Sequence, residues 1–381
     1  MPKSAIVSFR LGGGDGVSVE AGKWARALVA LGYEVRTVAG TGTADRLLPG
    51  LGIAAASVPS PSEVETALAG VDLVVVENLC SLPLNPEASI VVAECCKGRP
   101  TILHHHDLPW QRAHLAHHPP PPDDPCWRHV TINALSRHQL LEHGIDAVVV
   151  YNTFDMELPR GRRSALRRAL GLTDEVRLVV QPTRALPRKN IPGALRLTSA
   201  LGGTYWLLGP AEDGYGPELE ELLARATCPV RHGLPGPALR GSARSGSVGS
   251  GVGSWSMADV YAAADVVALP STWEGFGNPT IESVVHRRPL AVGAYPVAAE
   301  LMALGFEWFQ ADNPAPLARW LEDPDPTLFD RNLAIARRHF SSTDLPTRLA
   351  GVIRSLGLPA PAGPEADPPP EIPTAHSPHE R

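Results

Sequence analysis

Short runs of consecutive apolar residues alternate along this chain with stretches in which apolar residues recur every three or four positions. Ala5–Phe9, Glu34–Ala39, Val71–Glu77, Thr101–His105, Val130–Ile132 and Ala147–Tyr151 are the runs of the first part, and each predicts a strand. A continuous apolar run bounded by turn residues fits a strand covered on both faces. Helical patterns near Val19–Leu31 and over Ser89–Lys97 fall between them. The alternation restarts after Asn152-Thr-Phe-Asp155, with strands predicted at Arg177–Gln181, Tyr205–Gly209, Val266–Leu269 and Leu290–Val292. Helices are predicted at Asn190–Ala200, Glu218–Ala226 and Pro279–His286. Such alternation predicts an α/β fold of parallel βαβ units, doubly wound in two Rossmann-like halves, with a boundary near residues 152–165. Ligands in these sheets bind beyond the carboxyl ends of the strands, so a cleft between the halves is the expected site.

Two segments stand outside the pattern. Gly241–Ser254 is a Gly/Ser insertion expected to be flexible, and the Pro-rich polar tail after Leu358 is expected to be disordered. Neither is assigned any chemistry. A length of 381 residues suits two hydrophobic cores, and 44% hydrophobic with 19% charged residues reads as soluble and globular. The net charge of -6 argues against a dedicated nucleic-acid binder. Cys80, Cys95, Cys96, Cys126 and Cys228 fit neither a disulfide framework nor a CxxC zinc site, which points to a reducing compartment. With no signal-peptide core and no run long enough to span a bilayer, the cytoplasm is the default location.

The chemistry concentrates in Ser271-Thr-Trp-Glu-Gly-Phe-Gly-Asn-Pro-Thr-Ile-Glu282. Asn278 suits an N-cap and Pro279 a first helical residue, so the amides of Thr280 and Ile281 are expected to face outward at the positive end of the helix dipole. That is an anion site suited to a diphosphate. Gly275 and Gly277 allow a ligand close to the backbone. Glu274 and Glu282 flank the loop and can accept hydrogen bonds from sugar hydroxyls. Phosphate beside polyol outlines a nucleotide sugar.

The Glu274-x7-Glu282 spacing, with Glu-Gly-Phe-Gly-Asn inside it, resembles retaining glycosyltransferases of family 4. Gln181-Pro-Thr-Arg-Ala-Leu-Pro-Arg-Lys-Asn190 is similar to a basic segment of that family, and Ala262–Ser271 to the strand that delivers its glutamates. The likeness runs over roughly residues 4–355. It implies the GT-B fold, two facing Rossmann-like domains with a central cleft. The expected layout is an acceptor-side domain over residues 1–155 and a donor domain over 156–340. A C-terminal helix over 341–358 crosses back toward the first domain, and a tail follows over 359–381.

The resemblance puts Glu282 on the donor ribose and Glu274 on a hydroxyl of the transferred sugar. Gly275, Phe276, Gly277, Asn278, Pro279, Thr280 and Ile281 then line the sugar and diphosphate, with Gly209 in the same donor-binding set. Arg184 and Lys189 are the expected cations for the leaving diphosphate, with Arg188 as an alternative. Pro182-Thr183 stands where the family has glycine, which leaves the loop's shape open. In the N-terminal half, Gly13, Gly14, Asp15 and Gly16 form a turn that is either a cleft loop or only a tight strand-to-helix connection. The family places a histidine beside the transferred sugar, and His106 fits best, with His105 as the fallback. His104-His-His-Asp107 also invites a metal reading, but successive strand residues face opposite sides, so the three rings cannot converge within a strand. Trp110 and Arg112 either shape the acceptor side or serve packing and surface.

The implied function is retaining, metal-independent transfer of a sugar, a hexose by expectation, from a UDP- or GDP-sugar. The acceptor, small molecule, lipid or glycan, is unidentified. No cofactor and no metal are called for, because the cations and amides take the metal's place. A GT-B sugar-nucleotide epimerase and a non-catalytic nucleotide-sugar-binding subunit are the rivals. Arg160, Arg162, Arg163, Arg167 and Arg168 offer either weak peripheral membrane contact or a solvated helix face.

Overall fold

The computed structural model describes residues 1–157, 160–235 and 255–360. The Gly/Ser insertion at 241–254 and all but the first two residues of the expected tail lie outside the described residues.

Two parallel sheets carry the fold. The first contains β1 (Lys3–Leu11), β2 (Glu34–Gly42), β3 (Arg46–Leu47), β4 (Leu73–Glu77), β5 (Thr101–His105), β6 (Trp127–Thr131) and β7 (Ala147–Val149), in the order β3-β2-β1-β4-β5-β6-β7. The second contains β8 (Leu178–Gln181), β9 (Thr204–Leu207), β10 (Val230–His232), β11 (Val266–Leu269), β12 (Leu290–Val292) and β13 (Phe309–Gln310), in the order β10-β9-β8-β11-β12-β13. β4, β8, β9 and β11 are buried along their whole length, as helices on both faces require. Each long apolar run of the sequence became a strand. β3, β10 and β13, of two or three residues, are too short to carry a period and were not foreseen.

Helix boundaries follow the caps more closely than the apolar pattern. The first helix runs Gly16–Ala30, starting before the expected Val19, because Asp15 accepts from Ser18 N at 3.2 Å and from its hydroxyl at 2.8 Å. The helix expected at Ser89–Lys97 runs Pro86–Cys96, with Asn85 capping Ala88 N and Pro86 in the first turn. Helices Pro61–Ala67, Ala134–Glu142 and Met257–Ala263 escaped the sequence reading, being seven to nine residues long with little periodicity to detect.

The chain crosses between the two sheets twice. Phe154 N donates to Phe340 O at 2.7 Å and Ser342 N to Phe154 O at 2.8 Å, which ties the outgoing and returning segments together. Tyr151, Phe154, Phe276 and Phe340 pack as an aromatic cluster at this crossing. Helix Leu345–Ser355 then buries Leu345, Leu349, Val352 and Ile353 against Ala21, Trp24 and Leu28 of the first helix. No helix among the described residues is long and apolar enough to cross a membrane.

Part of the arginine cluster is held by acidic partners and carbonyls rather than merely solvated. Arg162 pairs with Asp259 at 2.7 Å and Arg163 with Asp265 at 2.6 Å, leaving Arg160 and Arg168 exposed. Arg167 is only 1% exposed and donates to Thr173 O and Ala263 O at 2.8 Å, besides pairing with Asp265 at 3.2 Å. Removing a buried cation leaves those acceptors dry and unpartnered. Arg167→Ala is therefore expected to cost about 3 kcal/mol, read from urea unfolding; a loss below about 1 kcal/mol would mean the bonds contribute no more than surface pairs do.

Candidate active site

Both sheets change winding direction where the chemistry lies. In the first sheet the strand order reverses between β1 and β4, and in the second between β8 and β11. The ends of these four strands and the loops after them hold the Gly-rich turn, Glu77, the segment Thr183–Asn190 and the segment Pro270–Asn278. This is the crevice position expected of doubly wound sheets.

Glu274 is the hub of the second-sheet loops. It is buried, and its Oε1 takes Lys189 Nζ at 2.5 Å and the Ser271 hydroxyl at 2.6 Å. Its Oε2 takes Arg188 Nη1 at 3.0 Å. Burial pushes the Glu274 carboxyl upward, but Lys189 and Arg188 together outweigh it and hold the group below its usual range. Burial also moves the Lys189 ammonium downward, against the opposing pull of Glu274. Of the three expected cations, Lys189 and Arg188 lie on the Glu274 carboxylate, while Arg184 bonds Glu212 nearby.

Pro182-Thr183 is accommodated by a glycine elsewhere. A Cβ on Gly209 would lie 2.7 Å from both the Arg184 Cα and the Thr183 carbonyl oxygen. Gly209 thereby admits the basic loop rather than facing open space. Asn190, at φ +50°, caps the next helix and donates to Pro270 O at 3.0 Å, while Thr272 N donates to Arg188 O at 2.9 Å. These bonds tie the two loops together.

The helix start differs from the expectation. Asn278 has helical angles and makes no side-chain cap; its Oδ1 accepts from Asn152 Nδ2 at 2.9 Å. The amides of Thr280 and Ile281 are not turned outward either, since they close turns onto Gly277 O and Asn278 O at 2.8 and 3.1 Å. Within the described residues the amides of Gly275, Phe276, Gly277 and Asn278 have no intramolecular acceptor. The amides left open to a ligand therefore sit in the glycine loop, one step before the helix. Phe276 points the other way, into the aromatic cluster, and Pro279 opens the helix. Gly277 requires glycine, with φ +88° and the Tyr295 hydroxyl where a Cβ would stand.

Glu282 lies in the first turn of helix Pro279–Val285 and accepts from Tyr261 Oη at 2.5 Å. Burial raises its carboxyl pKa, with Tyr261 and Lys23 pulling it back and Glu20 adding to the rise. Glu20 and Lys23 belong to the first helix, so the N-terminal half faces Glu282 across the cleft. Lys23 bonds Glu20 Oε1 at 2.5 Å and also the Thr153 carbonyl.

In the Gly-rich turn, Gly13 and Gly14 precede Asp15, which caps the helix begun by Gly16 and pairs with Arg10 at 3.2 Å. Room for a Cβ is open at Gly14 and Gly16, so packing alone does not demand glycine there. His104 and His106 fall on one side of β5 and His105 on the other, as strand geometry requires. His105 is sealed among protein groups: Ser81 Oγ lies 2.5 Å from its Nδ1, and His129 Nδ1 lies 2.9 Å from its Nε2. Burial, first, and its histidine neighbours press its pKa well down. This rules out His105 as the fallback sugar contact. His104 Nδ1 and His106 Nε2 both lie 2.8 Å from Glu77 Oε2. Glu77, His104 and His106 have ligand chemistry suited to a metal, and their nearest ligand atoms lie within 4.8 Å of one another; as they stand, both nitrogens meet one carboxylate oxygen at hydrogen-bond distance. Trp110 stacks on His143 and donates to Gln139, and Arg112 pairs with Asp107.

Contacts across the cleft bring the donor loop against the first half. A Cβ on Gly275 would lie 2.6 Å from the His106 carbonyl oxygen, and Asn133 Nδ2 donates to Gly275 O at 2.6 Å. Glu300 accepts from the first amides of helix Ala134–Glu142, at 2.8 and 3.2 Å, and from Tyr151 Oη at 2.8 Å. Its carboxylate complements that helix dipole. Sequence reasoning missed Glu77, Glu20, Lys23, Asn133, Asn152, Tyr261 and Glu300. Only Glu77 carried a signal, as a carboxylate closing an otherwise apolar run.

No family model matches the chain. It is 26% identical to a mannosylglucosylglycerate synthase of Thermotoga maritima, over 89% of this chain and 96% of that protein. Its fold is similar to Anabaena HepE solved with UDP and glucose, at a TM-score of 0.66 and 18% identity over 93% of this chain and all of that one. It is also similar to sucrose-phosphate synthase of Thermosynechococcus elongatus, at a TM-score of 0.68 and 15% identity over 94% and 99% of the two chains. Two facing parallel α/β domains of this kind are the GT-B fold.

Proposed function

We propose that this GT-B glycosyltransferase takes its sugar from a nucleoside diphosphate sugar and passes it to an acceptor hydroxyl with retention, using no divalent metal. The observation that carries this reading is the buried Glu274 with Lys189 and Arg188 upon it, at the edge of a glycine loop whose amides are free. In this reading the diphosphate lies over the amides of Gly275 through Asn278 beside Lys189. Glu282 accepts the ribose hydroxyls, Glu274 a hydroxyl of the transferred sugar, and His106 faces that sugar from the opposite sheet. Charge on the departing diphosphate is met by an ammonium and preorganised dipoles, which supply what a metal would. The acceptor oxygen bonds to the anomeric carbon on the face the diphosphate leaves, and the diphosphate takes the acceptor's proton.

The Anabaena neighbour's UDP supports testing uridine donors first, and the Thermotoga relative's mannosylated product brings mannosyl donors, GDP-linked included, into the screen. Purified protein is incubated with each nucleotide sugar. Slow release of nucleoside diphosphate supports a transferase; isomerised sugar supports an epimerase, and binding without turnover over an acceptor panel supports a non-catalytic subunit. Glu282→Ala is expected to weaken nucleotide affinity by about 10- to 100-fold, the worth of hydrogen bonds to a charged group. Calorimetric titration with UDP and GDP measures it, and unchanged affinity for both would remove Glu282 from the ribose.

A further inference from the structure

Glu77 closes β4 directly opposite His104 on β5, and the strand period brings His106 to the same side two residues later. One carboxylate oxygen thus receives two imidazole nitrogens, each at 2.8 Å, in a site where Glu77 is fully buried. A carboxylate buried to this degree persists only if a matching charge is near. The two rings differ in their ability to supply it. His104 stacks under Trp24 with ring centroids 4.1 Å apart, and its Nε2 is buried with no partner among the described residues. A second proton there would be an unpaired donor in a dry site, so His104 is neutral, donating from Nδ1 alone. His106 is different. Its Nδ1 bonds no described residue and is not sealed off, and the carbonyl of the same residue is where Gly275 approaches from the other half.

We propose that Glu77 is a positioning residue for sugar transfer, which takes the Nε2–H of His106, fixes that ring, and keeps the Nδ1 protonated as a cationic hydrogen-bond donor to the nucleotide sugar. This rests on the transferase reading above. The charged groups facing His106 agree in sign: Glu77 from β4, Glu20 from the first helix with Lys23 bound to it, and Asp107 next in the chain. Burial by itself lowers the His106 pKa, and these carboxylates, Glu77 foremost, reverse it to a net rise, while His104 is pushed down by burial. A histidine raised in this way is charged below its folded pKa and loses its charge as pH rises through it. Turnover therefore has a falling alkaline limb set by Glu77.

The test pairs kinetics with a reading that needs no substrate. Side-chain NMR of the whole protein, with His106 identified by its loss in His106→Asn, gives that ring's titration directly. In the wild type His106 is expected to be doubly protonated at pH 6.5 and to titrate above it; a neutral His106 there overturns the proposal without any measurement of turnover. Glu77→Gln keeps the shape and removes the charge. It is expected to move both the His106 titration and the alkaline limb of kcat/KM down by about one to three pH units, with Glu77→Asp restoring part of the shift. A uniform loss of rate with the limb unmoved would mean Glu77 only holds the fold. Zinc or cobalt bound stoichiometrically by the wild type and lost in Glu77→Gln would also overturn the proposal. Since the titration is read without nucleotide, a failed donor screen and a failed Glu77 role are told apart.

Discussion

Replacing Lys189 by alanine is expected to lower turnover by about 100- to 1,000-fold, with nucleotide affinity changed far less. Lys189 is 8% exposed and meets Glu274, itself 6% exposed, at 2.5 Å. Its ammonium is therefore held in place beside the free amides of the glycine loop before any ligand arrives. A fixed charge of this kind costs no reorganisation when the diphosphate leaves, and it acts most strongly on the transition state, where that charge is greatest. Ground-state binding depends more on Glu282 and the loop amides, which the substitution leaves intact. Arg188 and Ser271 still hold Glu274, so a folded variant is expected. The measurement is kcat against the Kd for UDP or GDP, with unfolding curves as the control. A well-folded Lys189→Ala enzyme with near wild-type kcat would remove this ammonium from the leaving-group role.

Gly275→Ala is expected to reduce turnover by about 100-fold through geometry alone. No charge changes and the position does not need a left-handed backbone. The added carbon would lie 2.6 Å from the His106 carbonyl oxygen on the opposite sheet. That contact cannot be relieved by rotating a side chain, because the obstacle is backbone. Either the loop withdraws from Asn133, which donates to Gly275 O at 2.6 Å, or the two halves part. In both cases the groups that meet the sugar from the two sides are displaced by a fraction of an ångström or more, enough to lose alignment of acceptor and anomeric carbon. Nucleotide affinity is expected to stay close to wild type, since Glu282 and its partner Tyr261 lie away from the clash. Unchanged kcat in this variant would mean that the close approach of loop and strand is not used in turnover.

Much of the site was legible because its residues lie close in sequence. Glu274, the two glycines and Glu282 share one loop-and-helix segment, and the basic segment Arg184–Lys189 follows a recognisable strand. Detail within those segments was less legible. Asn278 looks like a cap, yet Asn152 from the other half takes its side chain. Arg184 and Arg188 are equivalent on paper, and only the folded loop puts Arg188 on Glu274 and Arg184 on Glu212. Arg162 and Arg163 read as part of a surface patch because Asp259 and Asp265, their partners, come about a hundred residues later.

By itself the sequence determined the alternation of strand and helix, the two parallel sheets and the kinds of groups in the donor loop. Each is written in residues a few positions apart, where the apolar period and the turn chemistry act directly on the local backbone. Only the tertiary structure decided which groups share a charge and which amides remain free. Lys189 and Glu274 are 85 residues apart and meet because β8 and β11 are neighbours in one sheet. Glu77 and His106 meet across 29 residues because β4 and β5 pair in a register that places them on one face. A carboxylate at the end of an apolar run has no assigned partner until that register exists, and its partner determines what it does.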